Sequence, residues 1–274
     1  MTPANLSTLV DRFDVFLLDQ FGVLIGGNGA YPGAVEAVSY LLDVGKTVIV
    51  ITNSGRRSGH TQERLERHGF PMANIRVVSS GEVARARLSA AIQQNGPMRV
   101  WYEAETRDAS PLDGLAATYV DDVRLAQMMV IAGVRSEEVD LAAYRNTFEA
   151  AAGARIPCIC TNPDMERLTA NGRRIAPGRI AKTYEDMGGR VEWIGKPFLA
   201  IYDHALTDVP EAARVICIGD SIAHDIAGAE AAGLQSALVQ TGLAEGESEE
   251  ALRQAAERLG AVPSYLIPAL RLDT

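Results

Sequence analysis

Short apolar runs rich in β-branched residues alternate along this chain with stretches of helical periodicity, and that rhythm confines it to few folds. The runs fall near residues 14 to 18, 47 to 51, 75 to 78, 98 to 102, 127 to 132, 156 to 160, 214 to 218 and 235 to 239. All are too short to cross a bilayer. Strands joined by helices in this order predict an α/β architecture, a parallel sheet with helices on both faces. Between the first two runs, Pro32-Gly33 starts a helix that continues through Leu42, and Gly45 ends it, so Asp14 to Thr52 reads as one βαβ crossover. Further helices are predicted near 61–69, from Ser80-Gly81-Glu82 to about Gln94, and over 222–232.

The first run, Val15-Phe16-Leu17-Leu18, closes on Asp19, and packing does not explain a carboxylate just past a buried strand. Three later fragments supply what such a carboxylate needs to attack phosphorus: Thr52-Asn53-Ser54, Gly195-Lys196-Pro197, and Gly219-Asp220 followed by Asp225. Asp19 can act as nucleophile. Asp19 and Asp220 can share a Mg²⁺ ion, a hard cation that prefers oxygen and keeps several waters, and the main-chain carbonyl of Phe21 can add a ligand. The Thr52 hydroxyl with the Asn53 and Ser54 amides can bind phosphoryl oxygens, and Lys196 can set a point charge between them and the nucleophile. Asp225 is expected to orient Lys196 or a metal-bound water. In open α/β sheets ligands sit beyond the carboxyl ends of strands, where Asp19, Thr52 and Asp220 all fall.

The lysine fragment lies about 140 residues beyond Thr52, more than a loop spans without its own fold. A chain of 274 residues accommodates two domains. The expected division is a core of residues 1–81 and 189–274 with an inserted domain over 82–188, bounded by Ser79-Ser80-Gly81 and Gly188-Gly189. The insert would cover the crevice and exclude water. Within it, Thr161-Asn162-Pro163-Asp164 follows an apolar run, which makes Asn162 and Asp164 candidates for substrate contact and an Asn-Pro turn the competing reading. Arg173 and Arg174 read as a solvated basic turn, and Gly26-Gly27-Asn28-Gly29 as a flap rather than a phosphate cradle, since the G-x-G-x-x-G spacing is missing.

Composition narrows the partners. A formal charge of −9 disfavours a general nucleic-acid binder, because polyanion affinity comes from basic clusters releasing counterions; a small phosphorylated substrate remains compatible. No membrane partner is expected. The first residues, Met1-Thr2-Pro3-Ala4-Asn5-Leu6, lack the basic stretch and apolar core of a secretory signal, so the cytoplasm is the expected compartment. Cys158, Cys160 and Cys217 all sit in apolar runs as small buried hydrophobes.

Together these motifs resemble those of the haloacid dehalogenase superfamily. Tyr31-Pro32-Gly33-Ala34-Val35, Val78-Ser79-Ser80-Gly81-Glu82, Thr161-Asn162-Pro163-Asp164, Gly195-Lys196-Pro197 and Ile218-Gly219-Asp220-Ser221-Ile222-Ala223-His224-Asp225-Ile226 are similar to the class IIA branch of p-nitrophenyl-phosphatase-like, nucleotide and sugar phosphatases. The resemblance implies a Rossmann-like doubly wound core with an inserted, smaller α/β cap. It implies Mg²⁺-dependent phosphatase activity, with Asp19 as nucleophile, Thr52 and Lys196 as phosphate ligands and Asp220 as metal ligand. A homodimer through the cap is also what the family suggests.

One position departs from the pattern. Most phosphatases of the superfamily carry a second aspartate two residues after the first, and here that residue is Phe21. A general acid is worth roughly 10² to 10⁴ in rate. Three explanations are open: another group such as His224, a cap residue or a water substitutes; the substrate has a good leaving group; or the chemistry needs no protonation. Asp-Gln-Phe-Gly-Val-Leu also resembles the first motif of haloacid dehalogenases, so a carbon–halogen hydrolase is the rival enzyme. A catalytically weak phospho-ligand-binding protein is the rival non-enzyme.

Overall fold

A computed structural model describes residues 1–104, 110–136, 138–169 and 172–272. Its seven-stranded sheet has the order Thr2–Pro3, Tyr265–Ile267, Gln235–Val239, Val215–Gly219, Val15–Asp19, Thr47–Thr52 and Ile75–Ser79. Val15–Asp19 runs parallel to both its neighbours, pairing Leu18 with Ile218 on one side and Asp19 with Ile51 on the other. From this central strand the chain winds outward through Thr47–Thr52 and Ile75–Ser79, then returns at Val215–Gly219 to wind the other way. The sheet is therefore doubly wound. Its switch point lies between Val15–Asp19 and Val215–Gly219, where such sheets open a crevice at their carboxyl ends.

Val15, Phe16, Leu17 and Leu18 are buried on both faces, which is what a central parallel strand requires. The crossover helix Ala34–Asp43 is entered through Gly33 at φ +83, and it buries Ala34, Ala37, Val38 and Leu41 on one stripe. That stripe packs with Phe16, Leu18, Val48 and Val50. Truncating Leu41 to alanine there would cost about 2–5 kcal/mol, the usual range for a deleted core leucine.

The chain divides into two units. Met1–Thr52, Gly59–Val78 and Lys196–Thr274 form the first, and Asn53–Ser58 with Ser79–Gly195 the second. The second unit holds a five-stranded sheet ordered Val191–Trp193, Cys158–Cys160, Met128–Ile131, Met98–Glu103 and Ala117–Tyr119, parallel throughout. Its core gathers Trp101, Met129, Ile131, Phe148, Ile180 and Tyr184, with Phe148 meeting Trp101 and Tyr184 edge to face. An antiparallel hairpin, Glu166–Thr169 with Gly172–Ile175, carries Arg173 and Arg174.

Every run expected as a strand is one, but several strands were not legible. Ala117–Tyr119, Val191–Trp193 and Tyr265–Ile267 span three residues each, too few to show a pattern. The helix predicted over 222–232 opens as a π-helical turn, Ile222–Ile226, before the α-helix Ala227–Ala231. Gly26-Gly27-Asn28-Gly29 forms a ribbon in which Ile25–Gly26 pairs antiparallel with Gly29–Ala30. All three cysteines are free and buried. Among the described residues, no helix is long and apolar enough to cross a membrane.

Candidate active site

In the first unit, Asp19 ends its strand with the side chain 14% exposed, and the Lys196 Nζ stands 2.7 Å from its Oδ1. The same Nζ donates to Asp225 Oδ1 at 2.7 Å, so one buried ammonium bridges two carboxylates. Asp220 joins them, with carboxylate oxygens of Asp19, Asp220 and Asp225 all within 4.8 Å of one another. Thr52, buried, ends the neighbouring strand. The structure thus gathers Asp19, Lys196, Asp220 and Asp225 at the carboxyl edge of the sheet.

Each acid is held by backbone. Asp19 Oδ1 accepts from the Gln20 amide at 2.6 Å, Asp220 Oδ2 from the Leu243 amide at 2.7 Å, and Asp225 Oδ2 from the Ser221 amide at 3.1 Å. Glycines make room for them. A Cβ on Gly22, at φ +86, would lie 2.0 Å from Asp220 Oδ2, and one on Gly242 would lie 2.1 Å from the same atom. A Cβ on Gly219 would lie 2.1 Å from Asp225 Cγ. The Thr241 hydroxyl donates to the Gly22 carbonyl and ties the two glycine segments together.

The electrostatics follow from three carboxylates sharing one ammonium. Burial, followed by the Asp225 and Asp220 charges, lifts the Asp19 carboxyl to about 8 against the pull of Lys196. Burial, followed by Asp225, lifts Asp220 to about 6. Burial alone would depress the Lys196 ammonium, but Asp19 and Asp225 outweigh it and raise it above its ordinary value, so the lysine stays charged. Such a cluster carries more negative charge than its lysine balances. A hard divalent cation fits it: the donors are all oxygen, and glycines leave Asp220 the space a side chain would fill.

The second unit holds the other candidates. Asn53 and Ser54 open a loop clamped to the helix Ser80–Asn95: the Gly81 amide donates to the Ser54 carbonyl at 3.0 Å and the Ser79 hydroxyl to the Arg56 carbonyl at 2.7 Å. Arg57 grips Glu82 through two bonds of 3.2 Å. Gly81 is essential to that approach, since its Cβ would lie 2.4 Å from the Gly55 and Arg56 carbonyls. Val78-Ser79-Ser80-Gly81-Glu82 is therefore a clamp on the loop after Thr52, a role its sequence did not disclose. Asn162 Oδ1 accepts from the Asp164 amide at 2.8 Å, so this side chain builds the turn around Pro163. His224 Nδ1 lies 3.1 Å from the Ser221 hydroxyl, at the start of the π-helical turn.

Two family models match the chain. The first, described as haloacid dehalogenase-like hydrolase, covers residues 16–114, and the second, HAD-hydrolase-like, covers 193–268. The chain is a haloacid dehalogenase-like hydrolase. The hydrolase is 28% identical to the sugar-phosphatase AraL of Bacillus subtilis, over 93% of this chain and 90% of that one. Its fold matches a haloacid dehalogenase-like hydrolase from Brucella suis at a TM-score of 0.79, with 27% identity, covering 97% of this chain and 99% of the other. It also matches the p-nitrophenyl phosphatase of Archaeoglobus fulgidus at a TM-score of 0.77, with 26% identity, covering 95% and 97%. The sugar-phosphatase and the p-nitrophenyl phosphatase belong to the class IIA branch that the five motifs resemble. Both models include the site: Asp19 lies in the first, and Lys196, Asp220 and Asp225 in the second.

Proposed function

We propose that this hydrolase is a Mg²⁺-dependent phosphomonoesterase that acts on a small phosphorylated metabolite through an aspartyl-phosphate at Asp19. The observation that carries the reading is the Lys196 ammonium 2.7 Å from the Asp19 carboxylate, beside two further buried acids. In the first step an Asp19 oxygen forms a bond to phosphorus, and the ester P–O bond breaks with its electron pair leaving on the alcohol oxygen. Water then attacks the acyl phosphate, releasing inorganic phosphate and restoring the carboxylate.

Lys196 and the Thr52 hydroxyl neutralise and hold phosphoryl oxygens, and the Asn53 and Ser54 amides, next in the chain, are assigned the same task. Asp19, Asp220 and the Phe21 carbonyl are the residues to hold Mg²⁺, which when bound supplies positive charge to the phosphoryl oxygens. Asp225 fixes Lys196. Substrate selection is assigned to the inserted cap, including Asp164 and Asn162. A cytoplasmic location and a homodimer complete the proposal. The likeness to a sugar-phosphatase and a p-nitrophenyl phosphatase supports the phosphate chemistry.

Asp19→Asn tests it. Phosphate release from a panel of esters should vanish while the circular dichroism spectrum and melting curve stay those of a folded protein. Undiminished hydrolysis by that variant removes the central assignment. Chloride release from haloacids without Mg²⁺ would move the reading to the carbon–halogen rival. Tight binding of phosphate esters with no turnover by the wild type would move it to the binding-protein rival.

A further inference from the structure

Phe21 stands where a proton donor is missing, and the structure shows what accompanies it. Along the strand end, exposure alternates: the Asp19 side chain is 14% exposed, Gln20 1% and Phe21 48%. Phe21 follows Asp19 by two residues, across the bend at Gln20, and is half exposed just past the carboxyl end of the strand. Over that ring lies the guanidinium of Arg64, with its Cζ 5.4 Å from the centroid. Arg64 sits on the helix Ser58–Arg67, which begins shortly after Thr52, and its Nη2 lies 3.4 Å from His60 Nε2 one turn earlier. Thr61 and Leu65 of this helix are buried in the first unit, so the helix holds the arginine from a fixed base.

A half-exposed phenylalanine contributes little to folding, but an aromatic face under a guanidinium attracts and orients the cation. The pair therefore sets a permanent positive charge at the position where the chain lacks an acid. Arginine gives up no proton near neutrality, yet its planar fork of N–H donors can stabilise an oxyanion.

Resting on the phosphomonoesterase reading above, we propose that Arg64 is a catalytic residue that stabilises the departing oxygen, with Phe21 and His60 as its positioning residues. When the P–O bond breaks, its electron pair stays on the leaving oxygen as an alkoxide paired with Arg64, and no proton passes from the arginine. The alkoxide takes a proton from water and leaves as alcohol. The resulting hydroxide balances the attack on the aspartyl-phosphate, which yields hydrogen phosphate and the Asp19 carboxylate.

The test is a series of phosphate monoesters whose leaving groups run from p-nitrophenol to alkyl alcohols, assayed for kcat and KM with Mg²⁺ present. Arg64→Met should lose activity in proportion to leaving-group basicity, from about threefold on the aryl ester to about 10²-fold on alkyl esters, the range for losing an oxyanion donor. The loss should fall on kcat. Arg64→Lys should recover part of the slope, and Phe21→Leu should steepen it less than Arg64→Met does. If Arg64→Met proves unfolded by circular dichroism, the slopes of Arg64→Lys and Phe21→Leu decide. Losses equal across the series, or no loss, overturn the assignment. Asp19→Asn on the same panel separates the two ideas: turnover by that variant sinks the phosphomonoesterase reading, whereas a dead Asp19→Asn with a uniform Arg64 loss sinks only this inference.

Discussion

Gly22→Ala should damage this protein in two separable ways. At φ +86 an alanine incurs about 1–2 kcal/mol for the left-handed backbone. Its Cβ would also fall 2.0 Å from Asp220 Oδ2 and 2.2 Å from Cγ, an overlap that nothing relieves unless the carboxylate moves. Overpacking of that kind adds about 1–3 kcal/mol, and moving Asp220 breaks its 2.7 Å bond from the Leu243 amide. The total is about 2–5 kcal/mol. Gly45→Ala provides the reference, because Gly45 has φ +76 with nothing within 4 Å of its Cβ, and so carries the backbone term alone. Urea unfolding of both variants, without and with Mg²⁺, measures the difference. The wild type should gain about 2.7 kcal/mol at Mg²⁺ a hundredfold above Kd, and Gly22→Ala much less, since the displaced carboxylate is one of those proposed to hold the ion. If Gly22→Ala costs no more than Gly45→Ala and responds equally to Mg²⁺, the close-approach reasoning is refuted.

Other outcomes can be checked alongside. Lys196→Met should abolish turnover, and because it leaves Asp19 and Asp225 buried without their shared partner it should also cost about 3–5 kcal/mol, read by urea unfolding. Treatment with EDTA should stop phosphate release, and Mg²⁺ should restore it; full activity in the chelator would contradict the assignment of Asp19 and Asp220 to a metal ion. At Glu82, burial opposes ionisation, but the Arg57 contacts win and hold the carboxyl below its usual range. This group's stabilisation is therefore present above its unfolded value near 4.5 and fades as pH falls through the lower folded value. Glu82→Gln should accordingly cost about 0.5–1 kcal/mol at pH 7, given the pair's partial exposure, and the gap to wild type should close in acid; a gap independent of pH counts against it.

What the sequence disclosed were the parts whose signal is local. Val15-Phe16-Leu17-Leu18 ending in Asp19 is readable because an apolar run closing on an acid is rare, and Ile216-Cys217-Ile218 before Gly219-Asp220 repeats the pattern. What stayed hidden depends on residues meeting from distant segments. Gly22, Gly219 and Gly242 look like ordinary turn glycines until Asp220 and Asp225 are placed against them. Ser80-Gly81-Glu82 reads as a helix start, and it is one, capped by Ser79, but the Ser79 and Glu82 side chains also hold the loop after Thr52. Nothing in the one-dimensional pattern places Arg64 over Phe21, since they belong to a helix and a strand end joined only through the fold. Asn162 shows the converse: a polar residue at a candidate position whose oxygen is engaged in its own turn.

Val15–Asp19 lies between a strand that follows it closely and one that comes much later in the chain. While a ribosome is still adding the later half of the chain, the flank of this strand that will meet Val215–Gly219 has no β partner, and its side chains are among the most apolar in the molecule. Unpaired apolar edges of that kind recruit other chains. Versions that stop before residue 215 should consequently accumulate as aggregates, whatever the state of the rest.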